Sequence, residues 1–193
     1  AAEFLGTFFL VGIGTGAMIT LRVAQVEEQD SGAFVLAVSL AFGIALMVAL
    51  YALGGISGGH FNPAVSLAAF LDRRISIIDM VGYWAAQIAG ALSASALLAW
   101  VYNRVILQVT YPQLANGRNL DSLFQVKELS GFFVEAVLTL VFVFAILVLA
   151  KSEAHTKYIG MGAALAIVHI VGIVITGCGV NPARSFAPAL VGG

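Results

Sequence analysis

Charged residues are scarce in this chain of 193 residues, of which Asp, Glu, Lys and Arg make up 10% and hydrophobic residues 61%. A soluble domain carries about 25% charged residues. The low charge and a mean hydropathy of +1.01 therefore indicate a membrane protein. The formal net charge of −1 gives no sign of a basic surface for nucleic acid or of a polybasic membrane tether.

Groups that carry out chemistry are equally scarce. Cys178 is the single cysteine, which excludes an intrachain disulfide and a cysteine-rich metal site. The three histidines, His60, His155 and His169, lack the spacing of metal ligands. Neither a Ser/His/Asp grouping nor a phosphate-binding loop is present in the sequence. The sequence therefore predicts no enzyme, no metal and no cofactor.

Long apolar stretches are what the chain has in place of charge. Five of them approach the roughly 20 residues that cross a bilayer, namely 4–21, 33–56, 77–102, 130–150 and 158–176. A long connection over 103–128 separates the third from the fourth. The Lys and Arg density of the short loops 72–79 and 151–157 favours a cytoplasmic location for both. These features predict an all-α, multi-pass integral membrane protein.

Two further apolar pieces, Pro63–Leu71 and Pro182–Leu190, are too short to cross the membrane. At about 1.5 Å per helical residue, each would cover roughly half of a hydrocarbon core of about 30 Å. Together they predict one membrane-long element that is built from two half-helices.

An internal repeat connects these two pieces. A shift of 119 residues lays ISGGHFNPAVSLA (56–68) over ITGCGVNPARSFA (175–187) without a gap. Asn-Pro-Ala followed by the same Ser is not an effect of composition. Because an odd number of crossings separates the copies, the second half begins on the opposite face of the membrane. Such inverted repeats place functional sites near the midplane, where broken helices meet.

Each Asn-Pro pair predicts the start of a half-helix. Asn is a favoured N-cap and Pro is favoured at the first helical position, so Asn62-Pro63-Ala64 and Asn181-Pro182-Ala183 specify two such starts. Each start carries a partial positive charge of roughly +0.5. In an inverted repeat both ends point at one spot in the bilayer centre, which would admit neutral solutes with an oxygen acceptor and repel cations and protons.

The residues ahead of each Asn are rich in glycine, and irregular backbone at membrane depth is tolerated only where it is buried in protein or lines a wet cavity. The sequence therefore predicts a ladder of carbonyl acceptors along a pore, contributed by Gly58, Gly59, His60, Gly177, Cys178 and Gly179.

Ionisable residues within the apolar segments are candidates for functional sites. Arg184 lies in the first turn of the second half-helix, where the helix dipole disfavours it. His169 could equally be a satisfied core residue on the evidence of spacing alone. Glu3 and Glu135 are expected to brace the re-entrant loops by accepting backbone N–H bonds, and a role as proton carriers is the alternative.

These motifs resemble the aquaporin (major intrinsic protein) family over essentially the whole chain. The two Asn-Pro-Ala motifs, AEFLGT, SGGHFNPAV and TGCGVNPARS carry the resemblance. The family fold that it implies has six tilted helices and two half-helices, usually as a homotetramer with one pore per subunit. The sixth helix would follow Gly193, so the chain is expected to be a trimmed segment. It is expected to form a single channel domain, 1–193, with repeats at about 1–102 and 128–193.

The resemblance also implies a selectivity filter of four positions, which fall on Phe42, His169, Cys178 and Arg184. An aromatic residue, a His, a small residue and an Arg look like the narrow, water-selective version. Family members that pass glycerol usually carry a small residue in place of the His and an Asp after the Arg, where this chain has Ser185. Cys178 at the pore mouth would suggest block by mercurials.

The leading functional prediction is a passive water channel that excludes protons and ions, in a membrane that is expected to be the cell membrane. A channel for glycerol or other small neutral solutes is the nearest alternative. Two other classes remain open at this point: a proton-coupled transporter that uses Glu3 or Glu135, and a structural junctional membrane protein.

Overall fold

The computed structural model describes residues 1–24, 26–102 and 128–192. Within them the helices are, in chain order, α1 Ala2–Val23, α2 Val26–Gln29, α3 Ser31–Ser57, α4 Pro63–Leu71, α5 Ile77–Val101, α6 Glu128–Leu149, α7 Lys157–Thr176 and α8 Pro182–Gly192. Five of these, α1, α3, α5, α6 and α7, are long and apolar enough to cross a membrane. The five predicted spans and both predicted half-helices are confirmed, with ends that differ from the prediction by no more than two residues.

Two segments fall outside that agreement. The short helix α2 lies in a stretch that the sequence predicts as a loop. Most of the predicted connection over 103–128 lies outside the described residues, and its last residue, Glu128, begins α6.

The helix ends follow local capping chemistry. The Asp30 side chain accepts the Ala33 N–H at the start of α3. Ser76 and Asp79 form a capping box at the start of α5, which satisfies N–H groups that would otherwise lack partners. α3 and α7 both end in a left-handed glycine, Gly58 and Gly177, as is common where a helix must stop abruptly.

α3 and α7 pack closely and run in opposite directions. From the middle of α3 towards its end, Phe42 contacts His169, Gly43 faces Gly162 and Gly54 faces Tyr158. The numbers rise along one helix and fall along the other, so the helices are antiparallel. Because α3 and α7 are equivalent in the repeat, this packing confirms that the two halves are inverted.

Small residues set the spacing of these helices. A Cβ placed on Gly43 would lie 2.6 Å from the Gly162 carbonyl oxygen, and one on Gly90 of α5 would lie 2.3 Å from the Phe4 carbonyl oxygen of α1. The ring of Phe42 occupies the space beside Gly14 on α1, where a Cβ would lie 2.2 Å from the ring. Contacts through small residues are typical of helix packing in membranes, where backbones approach closely.

The outer surface of the bundle is apolar, and polar side chains face inward. On α6 the rings of Phe132 and Phe144 are 68% and 67% exposed. Asn62, Asn181 and Arg184 are at most 5% exposed. An apolar exterior around a polar interior is the arrangement that a lipid solvent favours, and the chain is a multi-pass integral membrane protein.

Candidate functional site

The site forms where the half-helices α4 and α8 begin. Each motif asparagine caps its own half-helix through its side-chain oxygen. Asn62 Oδ1 accepts the Ala64 N–H at 2.8 Å, and Asn181 Oδ1 accepts the Ala183 N–H at 3.1 Å. The caps follow directly from the Asn-Pro sequence, because Asn satisfies an amide at the helix start and Pro has none to satisfy.

The side-chain nitrogens of the same residues join the two motifs. Asn62 Nδ2 donates to the Val180 carbonyl oxygen at 2.9 Å. Asn181 Nδ2 donates to the Phe61 carbonyl oxygen at 2.9 Å. Each asparagine therefore bonds the residue that precedes the other. This reciprocal pair holds the amino ends of α4 and α8 side by side inside the bundle.

The backbone ahead of each asparagine bends in the same register in both repeats. Three positions per motif have positive φ: Gly58, Gly59 and Phe61 in the first, and Gly177, Cys178 and Val180 in the second. These positions correspond under the shift of 119 residues. The left-handed region is costly for Phe61 at +49° and Val180 at +39°, and such strain persists only where the surroundings hold it in place.

Glu3 supplies part of that support for the first loop. Its carboxylate accepts bonds from the His60 and Phe61 N–H groups at 3.0 and 2.7 Å. It also accepts bonds from Ser57 Oγ at 2.6 Å and from Gln87 Nε2 at 2.7 Å. Glu3 is 3% exposed, so one buried carboxylate connects α1, the end of α3, the first loop and α5.

Glu135 holds the second loop in the equivalent way. Its carboxylate accepts bonds from the Gly179 and Val180 N–H groups at 2.8 and 2.9 Å. Thr176 Oγ1 donates to the same carboxylate at 2.5 Å. The carboxylates of Glu3 and Glu135 therefore both accept backbone N–H groups of a re-entrant loop.

The carbonyl groups of the first loop differ from its N–H groups in their hydrogen bonding. Within the described residues, the carbonyl oxygens of Gly58, Gly59 and His60 accept no hydrogen bond from the protein. The Gly177 carbonyl oxygen accepts a bond from Arg184 Nη2 at 3.4 Å. Of these three residues, His60 lines the cavity that is described below.

Three of the four predicted filter residues lie together. The ring centroids of Phe42 and His169 are 4.5 Å apart and nearly parallel. The Cζ atom of Arg184 lies 5.3 Å from the Phe42 centroid. His169 Nδ1 lies 2.9 Å from the Leu165 carbonyl oxygen. These contacts fix both rings and the guanidinium within one narrow section of the bundle.

The fourth residue, Cys178, is placed differently from the expectation of a thiol at the pore mouth. Its Sγ donates to the Val168 carbonyl oxygen at 3.3 Å and packs against Gly172 of α7. The side chain is 0% exposed. The left-handed backbone at Cys178 turns the side chain towards α7, so the thiol is absent from the lining of the cavity described next.

A narrow cavity passes through the two motifs and the predicted filter. Its polar and aromatic lining is His60, Asn62, Asn181, Phe42, His169 and Arg184, and the apolar lining includes Leu10, Leu46, Phe142, Leu165 and Val180. The volume open to water is about 10 Å³, which is close to what a single water molecule needs. One narrow cavity is therefore lined by the starts of both half-helices, by three of the four predicted filter residues and by His60.

Several side chains around this path lie outside the predictions from sequence. Gln87 bonds both Glu3 and Ser66, Tyr83 donates to the Ser57 carbonyl oxygen, and Trp84 donates to the Pro63 carbonyl oxygen. All three donors are on α5. A polar Gln in an apolar span was the available signal for such a contact.

The fold and the site define a polytopic membrane channel that is built on an inverted repeat with two re-entrant half-helices. The chain belongs to the major intrinsic protein family, whose model matches residues 1–193. Members of this family are channels.

Named relatives and one solved structure support that assignment. The chain is 40% identical to glycerol uptake facilitator protein-like 6 of Lactiplantibacillus plantarum, over 100% of this chain and 83% of the relative. It is 39% identical to aquaporin Z of Brucella melitensis, over 98% of this chain and 82% of the relative. The aquaglyceroporin of Plasmodium falciparum has the same fold, with a TM-score of 0.75 and 23% identity over 98% of this chain and 77% of that chain.

Proposed function

We propose that this chain forms a passive, water-selective channel in which water passes in single file. The observation that carries the proposal is the reciprocal bonding of Asn62 and Asn181 beside a cavity whose volume open to water, about 10 Å³, is close to what one water molecule needs. The family predicts a homotetramer with one such path in each subunit.

The centre of the path would orient water by its dipole. Each asparagine Nδ2 has two hydrogens, and one of them is used in the bond to the opposite loop. The second hydrogen and the positive ends of α4 and α8 attract the oxygen of a central water. That water then directs its hydrogens away from the centre on both sides. A file with this polarity interrupts a proton wire, and the positive ends repel cations.

The predicted filter would act at one end of the file. Phe42 and His169 limit the width through their stacked rings, while Arg184 adds a positive charge and hydrogen-bond donors. A solute with a carbon backbone, such as glycerol, needs more width than a water file does. The close contact of the two rings supports the exclusion of such solutes.

A channel for glycerol or another small neutral solute is the second candidate. The observation that favours it is the similarity to a relative that bears the name of a glycerol uptake facilitator. The His169 ring and the small cavity weigh against it, because glycerol would have to displace a ring that the Leu165 carbonyl oxygen holds in place.

The geometry of the two glutamates supports a bracing role over a proton-carrier role. Glu3 accepts four hydrogen bonds and Glu135 accepts three. A carboxylate that accepts backbone amides on both oxygens would have to break these bonds in order to take up a proton. A transporter or a junctional protein thus lacks the support that the channel has.

The test is stopped-flow light scattering of proteoliposomes that contain the full-length protein. We expect rapid shrinkage in sorbitol and, in glycerol, shrinkage without the re-swelling that glycerol entry would cause. A His169→Ala variant should re-swell in glycerol, whereas Ile167→Ala, a change on the exposed side of the same helix, should behave as the unmodified protein. Fast glycerol entry into the unmodified protein would favour the second candidate, and solute flux that follows a pH gradient would favour a transporter.

A further inference from the structure

Two histidines line the cavity, and their ring nitrogens have different partners. His169 Nδ1 lies 2.9 Å from the carbonyl oxygen of Leu165. His60 Nδ1 lies 3.0 Å from the hydroxyl oxygen of Ser66. The partner of one nitrogen of a neutral imidazole decides whether the other nitrogen donates or accepts a hydrogen bond.

The assignment for His169 is direct. A carbonyl oxygen can only accept, so Nδ1 carries the proton and donates it to Leu165. Nε2 of the neutral ring is then a bare acceptor. This atom is buried and makes no hydrogen bond within the described residues, which leaves it available to a permeating molecule.

The assignment for His60 follows from a chain of donors. Gln87 Nε2 lies 2.7 Å from the Glu3 carboxylate, which orients the amide with its nitrogen towards Glu3. The same nitrogen lies 2.9 Å from Ser66 Oγ, so its second hydrogen goes to that hydroxyl. In the part of the chain that is described, the one other polar partner of Ser66 Oγ is His60 Nδ1. The hydroxyl therefore accepts from Gln87 and donates to His60 Nδ1, which leaves the His60 proton on Nε2.

We propose that Ser66 and Gln87 are positioning residues that hold His60 with its proton on Nε2, so that His60 acts as a hydrogen-bond donor to water in the half of the file opposite to the filter. This inference rests on the proposed water channel. It makes His60 and His169 opposite in function, because one donates to the file and the other accepts from it.

The orientation of the water molecules in the file explains why a hydrogen-bond donor is needed at the position of His60. Water in this half gives one hydrogen to its outer neighbour and the other to a carbonyl oxygen of the first loop. Its oxygen accepts one hydrogen from the inner neighbour, and a second lone pair remains. The carbonyls of Gly58 and Gly59 cannot fill it, since they only accept. Arg184 supplies donors at the filter, and His60 supplies one at the other end.

The repeat offers a matched control for the positioning role. Ser185 is the equivalent of Ser66 under the shift of 119 residues, and Gly179 is the equivalent of His60. A Cβ on Gly179 would lie 2.6 Å from Ser185 Oγ and 3.1 Å from Glu135 Oε2, so these two side chains occupy the space that a side chain at this position would need. Ser185→Ala thus removes the same hydroxyl group as Ser66→Ala, at a position where a glycine takes the place of the histidine.

The first measurement determines the two tautomers in the unmodified protein. Carbon–nitrogen correlation spectra of histidine-labelled protein in lipid distinguish protonated from bare ring nitrogens. We expect the proton on Nε2 of His60 and on Nδ1 of His169, with His60→Gln and His169→Gln spectra to assign the signals. A proton on Nδ1 of His60 in the unmodified protein would overturn the proposal, and this result does not depend on the folding of any variant.

The second measurement tests the positioning residues. In Ser66→Ala we expect the His60 signal to become a mixture of tautomers while the His169 signal stays unchanged. Water permeability per channel should fall by about fivefold, the equivalent of one ordinary hydrogen bond, and glycerol should still be excluded. Gln87→Leu should change the His60 tautomer signal in the same direction. Ser185→Ala should leave the His60 tautomer and the water permeability unchanged.

The outcomes separate this inference from the proposed function. Failure of the unmodified protein to conduct water would overturn the channel proposal and the inference that rests on it. Water conduction by the unmodified protein, together with an unaltered His60 tautomer and permeability in Ser66→Ala, would overturn the inference and leave the channel in place.

Discussion

The contact between α3 and α7 offers a direct way to test whether helix spacing controls selectivity. Gly43 and Gly162 are equivalent in the repeat and face each other across this interface. Phe42 precedes the first, and His169 lies on the same helix as the second. We expect Gly43→Ala to push the two helices apart and to loosen the predicted filter.

The size of the perturbation can be worked out from the structure. A Cβ on Gly43 would lie 2.6 Å from the Gly162 carbonyl oxygen and 2.8 Å from Ala166 Cβ, whereas ordinary contact begins at 3.4 Å. The obstacle is backbone and Cβ, so no flexible side chain can move aside. Overpacking of this kind costs about 1–3 kcal/mol. The higher helix propensity of Ala returns about 1 kcal/mol, and a net destabilisation of up to about 2 kcal/mol remains.

The assay combines stability and transport. The free energy of unfolding is measured by circular dichroism during reversible denaturation in mixed micelles, and glycerol entry is measured in proteoliposomes. Gly43→Ala and Gly162→Ala should each lower the free energy of unfolding and raise glycerol entry. The control is Gly55→Ala on α3, where a Cβ would meet nothing within 4 Å; it should gain stability and leave transport unchanged.

One result would refute this reasoning. If Gly43→Ala and Gly55→Ala had the same stability and the same glycerol entry, the close approach of α3 and α7 would not control the spacing of Phe42 and His169. Lower stability without glycerol entry would separate the two claims, since packing would then matter for folding and not for the filter.

Two further predictions concern the second re-entrant loop. Glu135→Gln replaces one acceptor oxygen by an NH₂ group that faces a backbone N–H, so the free energy of unfolding should fall by about 1–3 kcal/mol. The control, Glu153→Gln in an exposed loop, should leave the free energy of unfolding unchanged. Equal values for both variants would contradict the bracing role. Because the Cys178 thiol is wholly buried and bonded to Val168, mercurials should react with it slowly and water flux should persist through brief exposure. Rapid block that Cys178→Ser abolishes would contradict that burial.

Features encoded locally could be predicted from the sequence. The apolar lengths predict the five spans, and the Asn-Pro pairs predict the starts of α4 and α8 because capping depends on neighbouring residues. The repeat predicts the inversion, since it fixes how many crossings separate two equal motifs. Glu3 and Glu135 could be paired with the loops because each lies in an equivalent helix of its half.

Contacts between distant segments could not be predicted in the same way. The bonds from Gln87 to Glu3 and Ser66 join residues of three separate helices, and no spacing along the chain records which of them meet. The direction of the Cys178 thiol depends on a left-handed backbone at a residue that is not glycine. A motif predicts that a bend occurs there, but the packing around the bend decides where the side chain points.

The same repeat explains why the path is unequal at its two ends. Under the shift of 119 residues that superimposes the motifs, the filter residues have equivalents of a different chemical type. Val65 is the equivalent of Arg184, Leu50 of His169 and Met161 of Phe42. The backbone is therefore nearly symmetric while the lining is not. In the proposed channel both half-helix starts repel cations by the same dipole, but within the described residues the Arg184 guanidinium and the stacked rings lie together at one end. This asymmetry supports solute discrimination in one short section of the proposed channel and the separate role that we propose for His60 in the other half.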